Sequence, residues 1–419
     1  MKFRTQLFKV GLLIFIFSLF VQANAQSPKK KSTRIALPNS QARFISGNSS
    51  LEIPFELSNN LVLLQVRVND SAPVWFIFDT GAESTVIDAE LAKMLRLKPA
   101  GKIVGTGGAG TAEAVRFKSV SMRLPNIEIS NLTIYGLPID SFSAPLGKKI
   151  GGVIGYDIIK EFVVEIDYVA HKINLYKPES YQYSGAGGIF PLTFEENMPF
   201  IQASVGFEGR AAISGKFEID SGSTGAVLFN TPFVKKHELL KSVAQTNETR
   251  IGGIGGTAQA FLGRVKSITL GRFTLEKAVA RFSRSARGDY ASAKYDGLIG
   301  GEILRRFKTI FDYSRKRMIL EPNAQFSEPF EIDMSGMELL ADGDDLSTIL
   351  VDDVKPNSPA AEGGVRGGDV ITTIDNHPVE EFTLEEIRQM FKQDGREYLL
   401  NLKREGKAVQ AKIKLRRFI

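Results

Sequence analysis

Between about residues 50 and 325 the chain alternates apolar and polar positions in short runs, and breaks them at Gly, Pro, Asn and Ser. "LEIPFEL" (51–57), "LVLLQVRV" (61–68), "VRFKSVSMRL" (115–124) and "FIQASVGF" (200–207) are examples. A period of two places alternate side chains on opposite faces of a strand, so these runs predict a mostly β architecture. Two stretches carry a helical spacing instead, "DAELAKMLRL" (88–97) and "TPFVKKHELL" (231–240). After about 325 the pattern changes. "STILVDDVKPNSPAAEGGVRGGDVITTIDNHPV" (347–379) reads as strand, short helix, strand and tight turn. "TLEEIRQMF" then opens with Thr383 and Glu386 at capping-box spacing. "YLLNLKREGKAVQAKIKL" closes as a hairpin turning at Glu405-Gly406. This is a separate small α+β domain.

The first residues follow another rule. Lys2, Arg4 and Lys9 precede an apolar run from Val10 to Val21, and "ANAQ" then offers a small-x-small cleavage site at Ala25. That is the layout of a secretory signal peptide over 1–25, with an apolar run too short to span a bilayer comfortably. The expected product is exported, periplasmic or extracellular, and keeps no stable membrane anchor. The chain has no cysteine, which excludes disulfides and a lipid-bearing cysteine. Residues 26–48, including "SPKKKSTR", read as a solvated linker. The formal charge of +6 falls to about +3 when those three cations leave, and no basic stripe remains to suggest nucleic acid.

An internal repeat organises the middle of the chain. "GGVIGYDIIKEFVVEIDYVAHKINLY" (151–176) aligns without a gap on "DGLIGGEILRRFKTIFDYSRKRMILE" (296–321). Gly155 matches Gly300, Phe162 matches Phe307 and Asp167-Tyr168 matches Asp312-Tyr313. "GTGGAGTAEA" (105–114) and "GGIGGTAQA" (252–260) correspond as well, and so do "WFIFDTGAEST" (75–85) and "KFEIDSGSTGAV" (216–227). Three matched segments in one order indicate a duplicated lobe.

The last pair carries the chemistry. In each copy an apolar strand delivers an aspartate, Asp79 or Asp220, to a turn. Thr80 and Ser221 are small hydroxyl residues able to bond backbone across a symmetric junction. Gly81 and Gly222 allow a turn and a close approach that a side chain would block. If the lobes face each other across a pseudo-twofold axis, the two aspartates meet on it. Two carboxyls so close share a proton. The ionised one can take a proton from water while the protonated one polarises a peptide carbonyl.

On these residues the chain resembles the aspartic peptidases of the pepsin and retropepsin superfamily. Asp79-Thr80-Gly81 and Asp220-Ser221-Gly222 match the Asp-Thr/Ser-Gly signature. Val153-Ile154-Gly155 and Leu298-Ile299-Gly300 match the apolar-apolar-Gly element that crosses behind each active-site loop in that family. The resemblance implies two pseudo-twofold-related β-barrel lobes, here in one chain, over 49–180 and 181–325. It also implies flaps around Gly107 and Gly108 in the first lobe and Gly253, Ile254 and Gly255 in the second. No aromatic residue lies inside either flap sequence, so a pepsin-type flap tyrosine is not identifiable. Residues 326–419 resemble PDZ domains of secreted bacterial proteases through "NSPAAEGGVRGGDVITTIDN". The PDZ resemblance places a carboxylate-binding loop at Gly336, Met337, Glu338 and Leu339, with the helix at 383–391 as the opposite wall of a groove for a C-terminal peptide.

Other chemistries find no support. "GTGGAG" (105–110) satisfies a dinucleotide fingerprint, but an alternating strand follows where a helix is required. His171, His237 and His377 are scattered, and no Ser elbow is present. "DGDD" (342–345) lacks the rest of a calcium loop. No metal or cofactor is expected, and the expected partners are protein or peptide substrates. Two readings follow: an aspartic endopeptidase whose PDZ domain recruits or gates substrate, or a non-catalytic secreted protein that binds extended peptide.

Overall fold

The computed structural model describes Phe17–Ser18 and residues 40–419. Most of the expected signal peptide and linker lies outside these residues. Phe17–Ser18 is a two-residue strand opposite Thr106–Gly107. Within the expected linker, Gln41–Phe44 forms a strand antiparallel to Ile127–Ser130. The fold is mostly β and divides into two compact units. One comprises the described residues up to Ile139 together with Ile150–Pro329; the other comprises Asp140–Lys149 with Phe330–Ile419.

In the larger unit the described strands form two ten-stranded sheets, one per lobe, and a six-stranded sheet shared by both. The first lobe is built around Leu61–Val68, in which only Gln65 and Arg67 face solvent. This strand pairs antiparallel with Val74–Phe78, which in turn runs parallel to Ile150–Ile154. The second lobe repeats the arrangement. Met198–Gly206 pairs with Ile213–Asp220, which runs parallel to Gly297–Gly300. The two helical stretches of the sequence occupy equivalent places. Ala89–Met94 is capped by the Asp88 side chain, which accepts from the Glu90 and Leu91 N–H groups, and Thr231–Lys236 begins with Pro232 in its first turn.

At the centre of the six-stranded sheet, Val163–Asp167 lies antiparallel to Phe307–Asp312, with Val163 opposite Asp312 and Ile166 opposite Thr309. These strands are the two copies of one repeat element. Their direct pairing puts a pseudo-twofold axis between the lobes and makes them one continuous body.

The smaller unit has its own sheet, in which Met337–Asp342 is an edge strand beside Thr348–Val354. Its core gathers Val351, Ile371, Ile374, Ile387, Phe391 and Leu400, all essentially inaccessible to solvent. The helix Leu384–Met390 opens with a full capping box: the Thr383 hydroxyl accepts from the Glu386 N–H, and the Glu386 carboxylate accepts from the Thr383 N–H. The hairpin Glu397–Arg404 and Lys407–Lys414 turns through Glu405 and Gly406, both at positive φ, as its sequence predicts.

Replacing Thr383 with alanine removes the cap and one half of the box. The expected cost is about 1 kcal/mol in the unfolding transition of the smaller unit, read by chemical denaturation of the full chain, with no change in the lobes.

Candidate active site

Asp79 and Asp220 sit at equivalent strand ends. Phe76, Ile77 and Phe78 bury the approach to the first, and Phe217 and Ile219 bury the approach to the second. The Asp79 N–H donates to the Ile154 carbonyl (3.1 Å), and Asp220 lies opposite Gly300 in the parallel register. Behind each loop the apolar-apolar-Gly element is in close contact with the turn. A methyl at Gly155 would lie 2.5 Å from the Ser84 carbonyl carbon, and one at Gly300 would lie 2.4 Å from the Gly225 oxygen. The N–H groups of Tyr156 and Gly301 donate to Ala82 and Ser223 at 2.8 and 2.7 Å, an equivalent pair of bonds that pins both loops.

The loops are cross-linked to each other by four hydrogen bonds. The Thr80 N–H donates to the Ser221 hydroxyl and the Ser221 N–H to the Thr80 hydroxyl, both at 3.0 Å. Each hydroxyl then donates onward across the junction: Thr80 to the Ile219 carbonyl at 2.6 Å, Ser221 to the Phe78 carbonyl at 2.9 Å. A hydroxyl is needed at both positions because each accepts one bond and donates another. The glycines that follow let the carboxyls approach. A methyl on Gly222 would lie 2.3 Å from the Asp79 Cγ, and one on Gly81 would lie 2.9 Å from the Asp220 Oδ1.

Both aspartates are fully buried. Oδ1 of each accepts from the glycine two residues on, Gly81 at 2.8 Å and Gly222 at 2.9 Å, whereas Oδ2 of each receives no bond from another protein donor. The two carboxyls are within hydrogen-bonding reach of each other, so a shared proton satisfies both. Burial pushes Asp79 up to about 7, against the N–H groups of Gly81, Ala82 and Gly222, which favour its charged form. Burial also holds Asp220 well above the usual carboxylate range, and the charges of Asp79 and Glu218 add to it. Burial opposes the ionisation of both carboxyls, so the pair gives up its protons in separate steps and holds a single proton between them.

The glycine loops are hairpin tips. Pro99–Gly107 returns as Gly110–Leu124 through Gly108-Ala109, and Thr246–Gly253 returns as Gly256–Arg264 through Ile254-Gly255, with Gly255 at φ +91°. The tips meet: the Ala109 N–H points to the Ile254 carbonyl at 3.4 Å, and a methyl on Gly255 would lie 2.4 Å from the Gly110 carbonyl carbon.

Three residues that sequence reasoning did not single out join the site. Glu218 precedes Asp220 by two positions and is fully buried. Asp289 and Tyr290 come from a loop of the second lobe. The Tyr290 hydroxyl donates to the Gly252 carbonyl at 2.8 Å, its ring fills the space a side chain on Gly108 would need, and burial together with the charge of Asp220 raises its pKa. A tyrosine therefore stands against both flaps although neither flap contains one. Glu218 was visible as the only charged residue between Phe217 and Asp220; nothing in the sequence pointed to Tyr290, which lies in an unpatterned loop. Beside this loop a cavity of about 260 Å³ is lined by Thr106, Met198, Phe200, Asp289, Lys294 and Tyr295.

In the smaller unit, Gly336 (φ +79°) leads into the edge strand, but the loop N–H groups are engaged. Gly336 donates to the Asp333 carboxylate at 2.8 Å and Met337 to the Ser335 hydroxyl at 3.0 Å. Gly147, which ends the short helix Ser143–Leu146, lies against Leu384 and Ala341, on the two walls of the groove. Among the described residues no three His, Asp or Glu side chains are grouped to hold a metal ion.

Residues 64–158, which include Asp79, match the aspartyl protease family, and residues 350–404 match the PDZ domain family. No curated protein matches the chain. The chain therefore carries an aspartyl protease domain and a C-terminal PDZ domain.

Two outcomes follow from this geometry. Ser221→Ala removes an acceptor and a donor from the junction and strands the buried Thr80 N–H, with an expected loss of about 1–3 kcal/mol in equilibrium unfolding. The dyad also makes stability depend on pH. Carboxyls whose folded pKa is raised contribute stability that is full below the ordinary value of 3.8 and is lost as pH rises through the folded value, about 7 for Asp79. Melting temperature between pH 4 and 8 is therefore expected to fall less steeply in Asp79→Asn than in the unaltered chain; parallel curves would contradict this.

Proposed function

We propose that the chain is an exported aspartic endopeptidase that hydrolyses peptide bonds with a water molecule activated between Asp79 and Asp220. The observation that carries the reading is the dyad itself: two buried carboxyls in mutual contact, cross-linked by Thr80 and Ser221, and shared by two copies of one lobe. Export rests on the pattern of residues 1–25.

In this reading Asp79, the ionised member, takes a proton from water, and Asp220 donates its proton to the carbonyl oxygen of the scissile bond. The hydroxide adds to the carbonyl carbon and gives a tetrahedral diol. Asp79 then passes its new proton to the amide nitrogen while Asp220 recovers one from a diol hydroxyl, the C–N bond breaks, and the dyad returns to its starting state. The flaps must open for an extended peptide to enter and close to exclude bulk water. Asp79 becomes the base only when ionised, and burial raises its pKa, so hydrolysis is expected to decline towards acid pH.

The PDZ domain supplies a second peptide site by strand addition to Met337–Asp342. A chain terminus there would have to displace the Ser143–Gly147 segment and compete with Asp333 for the Gly336 N–H.

The test uses the chain cleaved after Ala25 and unfolded protein as substrate, from pH 3 to 9. Asp220→Asn and Asp79→Asn are each expected to lower kcat/KM by at least about a thousandfold while the far-ultraviolet spectrum and cooperative melting persist. Cleavage retained in either variant rejects the dyad. Peptide binding without turnover by the unaltered chain at every pH would favour the peptide-binding reading instead.

A further inference from the structure

Ile213–Asp220 carries more than one acid to the site. A strand repeats its facing every second residue, so Glu218 and Asp220 project from the same face. The first lobe has Ile77 at the equivalent position, buried among apolar neighbours. The two halves of the site are otherwise matched loop for loop; here the second replaces a hydrocarbon with a carboxyl.

That carboxyl is in an unusual position. Glu218 has no solvent exposure, and neither Oε1 nor Oε2 receives a hydrogen bond. Its strand neighbours in register are Phe200 and Leu298. Its Oε1 lies 2.9 Å from the point where a Gly81 methyl would stand, and the Asp220 Oδ1 lies 2.9 Å from the same point. The two oxygens are therefore less than about 6 Å apart, within the range over which like charges oppose each other's ionisation. The groups facing Glu218 from the surrounding elements are acids or phenols: Asp79 and Glu83 from the first-lobe loop, Asp289 from the second-lobe loop, and Tyr290, Tyr295 and Tyr313. Lys216, two residues earlier on the same strand, is committed to Glu195. A buried acid with no cation and no donor has one inexpensive state, the protonated one.

We propose that Glu218 is a positioning residue that holds the dyad proton on Asp220 and so fixes Asp79 as the base. The assignment rests on the aspartic peptidase reading. Its physical content is an asymmetry. Each aspartate accepts one backbone N–H, from the glycine two residues on, so the difference lies in the acids: Asp220 shares its strand face with the buried carboxyl of Glu218, where the first lobe has Ile77. Glu218 is neutral until the pH is high enough to ionise it; from there its negative charge opposes the loss of the proton from Asp220, so Asp220 remains an acid to higher pH than it would in a dyad alone.

The experiment is the pH profile of kcat/KM for Glu218→Gln, Glu218→Ile and Glu218→Asp in the full chain, with folding checked by thermal melting. Gln and Ile are expected to move the alkaline limb down by about one pH unit and leave the acid limb in place, and Asp is expected to restore the limb. A purely structural role would lower activity or stability without moving either limb, and unmoved limbs in folded Gln and Ile variants overturn the proposal. A second measurement covers variants that do not fold and a chain that does not hydrolyse peptide. Carbon-13 titration of the carboxyls in the unaltered protein is expected to show Glu218 titrating together with Asp79 and Asp220. An independent Glu218 curve, or one at the ordinary glutamate value, overturns the assignment. Absence of turnover together with coupled titration would instead sink the peptidase reading and leave the three-acid coupling standing.

Discussion

Two carboxyl groups forced into one water-poor junction are the constraint around which this protein is arranged. Separately, each aspartate would ionise near 4 and prefer solvent. Brought together in the interior they cannot both be charged, and the lobes must hold them against that repulsion. The holding is done by backbone and hydroxyl groups. Thr80 and Ser221 each accept and donate across the junction, and the elements ending at Gly155 and Gly300 brace the loops from behind. The shared six-stranded sheet carries the same symmetry through the body, because its central pair consists of the two copies of one strand.

The symmetry is incomplete, and the departures are chemical. The loops match, the flaps match in outline, and the bracing bonds match. The acids do not. Glu218 stands where the first lobe has Ile77, and Asp289 and Tyr290 come from a stretch after the last flap strand of the second lobe. A symmetric dyad would have no reason to place its proton on one side. The second lobe supplies an asymmetry by setting a further buried acid, Glu218, on the strand face that carries Asp220.

The flaps bear on access. Both tips are glycine-rich, they touch each other, and Tyr290 packs against one and bonds to the other. The glycines at the contact are required by contact itself: a methyl on Gly255 would overlap Gly110. The dyad is consequently sealed in this arrangement, and any solute reaching it requires the tips to part. In the smaller unit the same economy recurs at another scale. The N–H groups of Gly336 and Met337, which the PDZ resemblance assigns to a ligand carboxylate, are already engaged by Asp333 and Ser335.

Much of this was legible in the sequence, for reasons that are local. Alternation with period two fixes strand faces, a residue followed by Gly at a strand end fixes a turn, and Thr383 with Glu386 fixes a helix start, so these elements stand where their patterns place them. The repeat identified Asp79 and Asp220 as counterparts because duplication leaves matched segments in order. What only the tertiary structure decided is whatever depends on distance through space. That Glu218 loses every hydrogen-bonding partner, that Tyr290 reaches both flaps, and that Asp140–Lys149 groups with the smaller unit have no periodicity or spacing to announce them. Burial and partnership are properties of the folded surroundings, and a sequence states which groups a residue carries without stating which groups will face it.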